Sequence, residues 1–199
     1  MRKLTTLLFA ISLLAASCGS AVPSLKPTGS FIENRYFSNP EQDYVYKTAI
    51  SVYGHELGGI LIIKKISQDT HRLVLTTDFG NKLIDATMKN GSLSINSIVD
   101  EFDRKMLIKT LEKDFSVILR EKYPVHGPMD GAALSTIAVI GDESFEINSE
   151  AHGIGKIIRS GRKPRAEYGF KAENDTFAHE ITIVHHDLNL LIKLHSIEK

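Results

Sequence analysis

Lys82-Leu83-Ile84-Asp85-Ala86-Thr87-Met88-Lys89-Asn90-Gly91-Ser92-Leu93-Ser94-Ile95-Asn96-Ser97 carries the strongest hairpin signal in the chain. Two runs rich in aliphatic and small polar residues flank Asn90-Gly91, and both members of that pair tolerate the positive φ that a two-residue hairpin turn demands. Lys82 to Met88 and Ser92 to Ser97 are therefore expected as antiparallel neighbours. Toward the amino terminus the same texture repeats in Tyr44 to Tyr53, Ile60 to Ile66 and His71 to Thr77. Their connections, Gly54 to Gly59, Ser67 to Thr70 and Asp78 to Asn81, have hairpin length, so the first half reads as a meander of five strands.

Beyond it the period changes. Between Asp100 and Lys122 the apolar residues Ile108, Leu111, Phe115, Ile118 and Leu119 fall three or four apart, with Lys109, Glu112, Lys113, Ser116 and Arg120 on the other side. That spacing predicts one amphipathic helix, Asp103 to Arg120 at its heart. Asp100 or Asp103 suits its start, Arg120 and Lys122 its end, and Pro124, Gly127 and Pro128 prevent continuation. Strand character resumes at Leu134 to Ile140, Ser144 to Asn148, Gly155 to Ser160, Ala166 to Ala172, Phe177 to His185 and Leu188 to His195. In the last, Leu188, Leu190, Ile192 and Leu194 alternate with Asn189, Leu191, Lys193 and His195, which makes one face strongly apolar. The fold class expected is mainly β with one long helix (α+β): a curved antiparallel sheet of about eleven strands, large enough to curl around something.

At the amino terminus a basic start (Met1-Arg2-Lys3) precedes a mostly apolar run, Leu4 to Ala15, that is too short to span a bilayer. Ala16 and Ser17 then lead to Cys18, the only cysteine. These residues resemble a bacterial lipoprotein signal, with Ala15 where leucine is more usual. The resemblance implies that 1–17 is a signal peptide, that Cys18 carries the lipid (diacylglyceryl and further acyl chains such as palmitate), and that 18–40 is a flexible tether. The tether is rich in Gly, Ser, Pro and Asn, and its later part, with Phe31, Tyr36 and Phe37, can dock on the domain. Residues 41–199 are expected as a single domain. Multiple acyl chains matter for such an anchor, since one chain holds a membrane only marginally. Gly19 is not the acidic residue associated with inner-membrane retention, so an outer-membrane location facing the periplasm is implied.

With Cys18 lipidated no disulfide is possible, and stability must come from a hydrophobic core. Lys and Arg number 24, as do Asp and Glu, and 42% of residues are apolar. No basic field exists to collect nucleic acid.

Tyr46 to Tyr53, Gly58-Gly59-Ile60-Leu61-Ile62-Ile63-Lys64, Arg72 to Phe79-Gly80-Asn81-Lys82 and the helix from Asp103 to Arg120 together resemble the half-barrel of the LolA and LolB lipoprotein-carrier group and uncharacterised LolB-like lipoproteins of Gram-negative envelopes. That resemblance implies a sheet covered by a helix around an apolar cavity that receives acyl chains. Ile60, Ile62, Leu73, Leu75, Leu83, Ile108, Leu111 and Phe115 would supply its walls and lid. The same residues would equally compose a filled core. LolB-type acceptors carry a protruding loop with an exposed apolar residue early in the sheet, whereas the early turns here, such as Gly54-His55-Glu56, are short and polar. Tyr123 to Met129 is the one loop with comparable apolar content, a lid edge or membrane-touching tip.

Chemistry-bearing motifs are incomplete. His55-Glu56 lacks the second histidine of a zinc-protease helix, Gly59 standing in its place. Asp78-Phe79-Gly80 matches a kinase metal-binding triplet in letters alone, and His152 to Lys156 lacks the spacing of a phosphate loop. Ser135, Asp142 and His152 form no arrangement of nucleophile, base and orienting acid. An enzyme is not expected, nor is a cofactor. His179 and His195 would face each other across the last hairpin, a weak metal-site candidate without a third ligand. Three readings are open: an acyl-chain-binding envelope lipoprotein; a structural or interaction lipoprotein with a packed interior, serving an envelope complex; and a metal-binding envelope protein using the C-terminal histidines.

Overall fold

The computed structural model describes residues 25–127, 135–161 and 163–197. The expected signal peptide and Cys18 lie outside the described residues. Thirteen strands form one antiparallel sheet, β1 (Pro27–Glu33), β2 (Asp43–Val52), β3 (His55–Ser67), β4 (Thr70–Thr76), β5 (Lys82–Lys89), β6 (Ser92–Ile98), β7 (Lys122–His126), β8 (Ser135–Ile140), β9 (Glu143–Glu150), β10 (Gly153–Ser160), β11 (Pro164–Asn174), β12 (Phe177–His185) and β13 (Leu190–Ser196). One helix, α1 (Lys105–Ile118), separates β6 from β7. In space the order is β1-β7-β8-β9-β10-β11-β12-β13-β2-β3-β4-β5-β6, so the sheet is open, with β1 and β6 at its edges.

The fold is mainly β and curved as expected, but the strand count is thirteen rather than about eleven. The two additions pair with each other, Phe31 opposite Pro124 and Ile32 opposite Tyr123. Each hid for a local reason. β1 contains Gly29 at φ +80°, beside a break in register, which is the backbone of a bulge rather than of an alternating strand. β7 contains Pro124, which reads as a breaker but is tolerated where no ladder hydrogen bond is needed from its nitrogen. Two expectations change accordingly. The sheet begins at Pro27, within the stretch read as a tether, and Tyr36 and Phe37 beyond it are each 2% exposed in the core. Tyr123 and Val125, read as part of a lid edge or tip, are buried in the sheet; residues 128 and 129 lie outside the described residues.

The β2–β3 connection is tighter than the sequence suggested. Its turn is Tyr53-Gly54, with φ of +48° and +82°, the same doubly positive pattern as Asn90-Gly91 at +50° and +79°. Helix α1 is shorter at both ends than its periodicity implied. Arg104 occupies the N-cap with no side-chain bond, so neither Asp100 nor Asp103 caps it, and its last turn carries no basic residue. Its end is instead closed by the body of the protein: Asn34 Nδ2 donates to the Ile118 carbonyl at 2.9 Å and Tyr123 Oη to the Val117 carbonyl at 2.6 Å.

The core lies on the concave face. Tyr44 and Tyr46 of β2, Ile63 of β3, Ile157 of β10, Tyr168 of β11, Ile181 and Ile183 of β12, and Val117 and Ile118 of α1 are at most 2% exposed. Aromatic rings knit its lower layer, Phe37 lying 5.0 Å from Tyr44 and Tyr36 lying 5.3 Å from Phe170. On the outer face Asp85 is buried among partners: Arg72 donates to both its oxygens at 2.9 and 2.8 Å, with Lys82 at 2.9 Å and Asn96 at 3.0 Å.

Candidate functional site

Helix α1 lies against the concave face and, with β2 to β6, β12 and β13, encloses a cavity of about 50 Å³. Around it stand Ile50, Leu61, Leu73, Leu75, Ile84, Leu93, Ile183, Ile192 and Leu194 from the sheet and Leu111 and Phe115 from the helix; among the described residues Thr48 and Asp114 are its only polar neighbours. The last hairpin contributes as its alternation implied, Ile192 and Leu194 pointing inward.

Of the eight candidate wall residues, Leu73, Leu75, Leu111 and Phe115 come together at this cavity. Ile60, Ile62 and Leu83 do not. They belong to the opposite parity of their strands, where Leu61 and Ile63 of β3 and Ile84 and Ala86 of β5 take the inward places. Sequence could not choose the parity in β3, because Ile60 to Ile63 is apolar throughout and either phase satisfies alternation. Ile108 is half-buried on α1 and does not border the cavity.

Sequence reading also missed a polar cluster beside the apolar wall. Asp114 of α1, 1% exposed, accepts a hydrogen bond from Tyr168 Oη at 2.9 Å and has His185 Nε2 at 2.9 Å from its other oxygen. Burial first, and then the Asp114 carboxylate, push the Tyr168 hydroxyl well above its ordinary pKa, so it remains a donor. Arg159 of β10, 3% exposed, donates to Glu143 at 3.0 Å. The one available signal was the aspartate itself, placed one residue before Phe115 on the apolar side of the helix.

A second depression, of about 400 Å³, opens at the carboxyl end of α1 between Asp69, His71, Asn90, Arg120, Glu121 and Lys122. Its charges are of both signs. His71 within it is committed elsewhere, one ring nitrogen lying 3.0 Å from the Phe37 carbonyl oxygen, and burial lowers its pKa. In the last hairpin His195 lies opposite Glu180, one residue out of register from the expected pairing with His179; the two rings are 6.5 Å apart, edge to face, and among the described residues no group of three His, Cys, Asp or Glu is placed to hold a metal ion. His152, one of the residues weighed for catalysis, lies 3.4 Å from Asp175 on the surface. No helix among the described residues is long and apolar enough to cross a membrane.

No protein-family model matches the chain, and no curated protein matches it by sequence. Among solved structures it is similar to a DUF1329 family protein from Desulfovibrio piger, at 9% identity over 79% of this chain and 84% of that one, with a TM-score of 0.40. It is also similar to an outer membrane lipoprotein-sorting protein domain from Vibrio parahaemolyticus, at 10% identity over 78% of this chain and 83% of that one, with a TM-score of 0.41.

Proposed function

We propose that this protein is a non-enzymatic envelope lipoprotein, anchored through Cys18 to the outer membrane and facing the periplasm, that shelters acyl chains of a lipid or lipoprotein between α1 and the curved sheet. The observation that carries the reading is the cavity under α1, apolar on every side but for Thr48 and Asp114. Dry apolar surface is what an acyl chain needs, at roughly 25 cal/mol per Å² removed from water. At about 50 Å³ the space is far below the ~300 Å³ at which ligand sites begin, so a chain enters only as the helix lifts.

That same small volume favours a second reading, an interaction lipoprotein with a filled interior that meets an envelope partner through an edge strand, β1 or β6. One experiment separates the two. The full chain carrying Cys18→Ser, which cannot take a covalent lipid, is purified and examined by native mass spectrometry and lipid extraction. Bound acyl species, lost on Leu111→Glu while folding is kept, support the first reading. No acyl species, with Leu111→Glu costing several kcal/mol as a carboxylate is forced into a packed core, would establish the second.

A further inference from the structure

Among the described residues Asp114 is the single charged one at the cavity, and it joins α1 to the distant β11–β12 hairpin, through Tyr168 of β11 and His185 of β12. The helix that bears it is held unequally along its length. Its last turn is fixed by Asn34 and Tyr123, and Val117 and Ile118 are sunk in the core. Its first turn has no side-chain cap and no acidic residue to complement the dipole, and Met106 is 61% exposed. Between the fixed end and the loose end, among the described residues, two polar side chains of α1 hold it to the sheet: Glu112, which accepts from Leu93 N at 3.0 Å and Ser92 Oγ at 3.2 Å on the edge strand, and buried Asp114.

These two holds differ in kind. Glu112 sits at a wet edge, where such bonds trade almost evenly with water. Asp114 is dry when the helix is down and would regain water when it lifts. A buried carboxylate with good partners therefore fixes one closed geometry while adding little net stability to it, since its solvation is recovered on opening. An apolar residue at the same place would favour closure without such a return.

We infer that Asp114, Tyr168 and His185 form a catch that sets how readily α1 lifts from the cavity, with the final turn of the helix as the hinge. The catch gives the acyl-chain reading its means of entry and rests on that reading for its purpose. Arg159 and Glu143 stand behind it, and Asp187 lies 3.9 Å from the second ring nitrogen of His185, so the catch is embedded in a larger charged cluster rather than in bare hydrocarbon.

The test is amide hydrogen exchange on the full chain, comparing wild type, Tyr168→Phe and the triple variant Asp114→Leu, Tyr168→Phe, His185→Leu. Tyr168→Phe leaves an Asp114 oxygen unpaired and should raise exchange across 105–113 at least tenfold, with β8 to β13 unchanged. The triple variant, which replaces the polar catch with hydrocarbon, should slow exchange in the same segment below wild type. A rise spread evenly over helix and sheet would reduce the cluster to ordinary core structure and overturn the catch, as would no change at all. Palmitate binding is measured in parallel. Selective opening in Tyr168→Phe without palmitate uptake would leave the catch standing and remove the acyl-chain reading instead.

Discussion

Adjacent isoleucines in β3 have opposite fates. Ile63 lies opposite Tyr44 on one side and Leu73 on the other and is fully buried, whereas Ile62 faces outward and is only half-buried. Ile63→Ala should cost about 3 kcal/mol, as expected for emptying a packed site, and Ile62→Ala about 1 kcal/mol. Urea midpoints of the two variants check this, and the reverse order would mean that the strand parity is wrong. Asp85 carries a second prediction. Hydrogen bonds from Arg72 hold its carboxyl well below the usual carboxylate range; burial opposes them, and Asn96 and Lys82 add to them. A depressed folded pKa stabilises the fold in full above the unfolded value near 4, and the contribution is lost as pH falls from there toward the folded value. Asp85→Asn should therefore unfold at lower urea than wild type at pH 7, with the gap narrowing below about pH 4. An equal gap at pH 7 and pH 3 would show that the effect is not electrostatic.

At the scale of elements, β3 depends on a missing side chain. A Cβ on Gly59 would fall 2.1 Å from the Thr76 carbonyl oxygen, which is backbone and cannot swing aside, while one on Gly58 would meet nothing nearer than the Thr48 carbonyl oxygen at 3.8 Å. Gly59→Ala should destabilise by about 1–3 kcal/mol. Gly58→Ala should be neutral or stabilise by about 0.5 kcal/mol through the unfolded chain. Thermal melts of the pair give a direct comparison. Elements with clear periodicity were legible from sequence: β12 was read with both its ends, and α1 from the three-and-four spacing of Ile108, Leu111 and Phe115. Its ends were not: the first turn begins at Arg104 with no side-chain cap, and the last is satisfied by Asn34 and Tyr123, residues that no local capping rule connects to the helix.

For the whole molecule, the strands that escaped reading close one edge of the sheet, β1 lying on β7 across some ninety residues of chain. Removing residues 27–40 should therefore abolish cooperative unfolding rather than trim a tether, because it takes Tyr36 and Phe37 from the core, each worth about 3 kcal/mol or more. Near-ultraviolet circular dichroism through a urea titration would show it, and a native-like transition would restore the tether reading. The class of fold, the Asn90-Gly91 turn, the helix and the apolar face of the last strand were legible in the order of residues alone, because period and turn chemistry are local properties of the chain. Which isoleucines face inward, how small the space under α1 is, and the meeting of Asp114 with Tyr168 and His185 emerge only on packing. Those depend on strand register and on curvature summed over thirteen strands, and neither is written in any short stretch of residues.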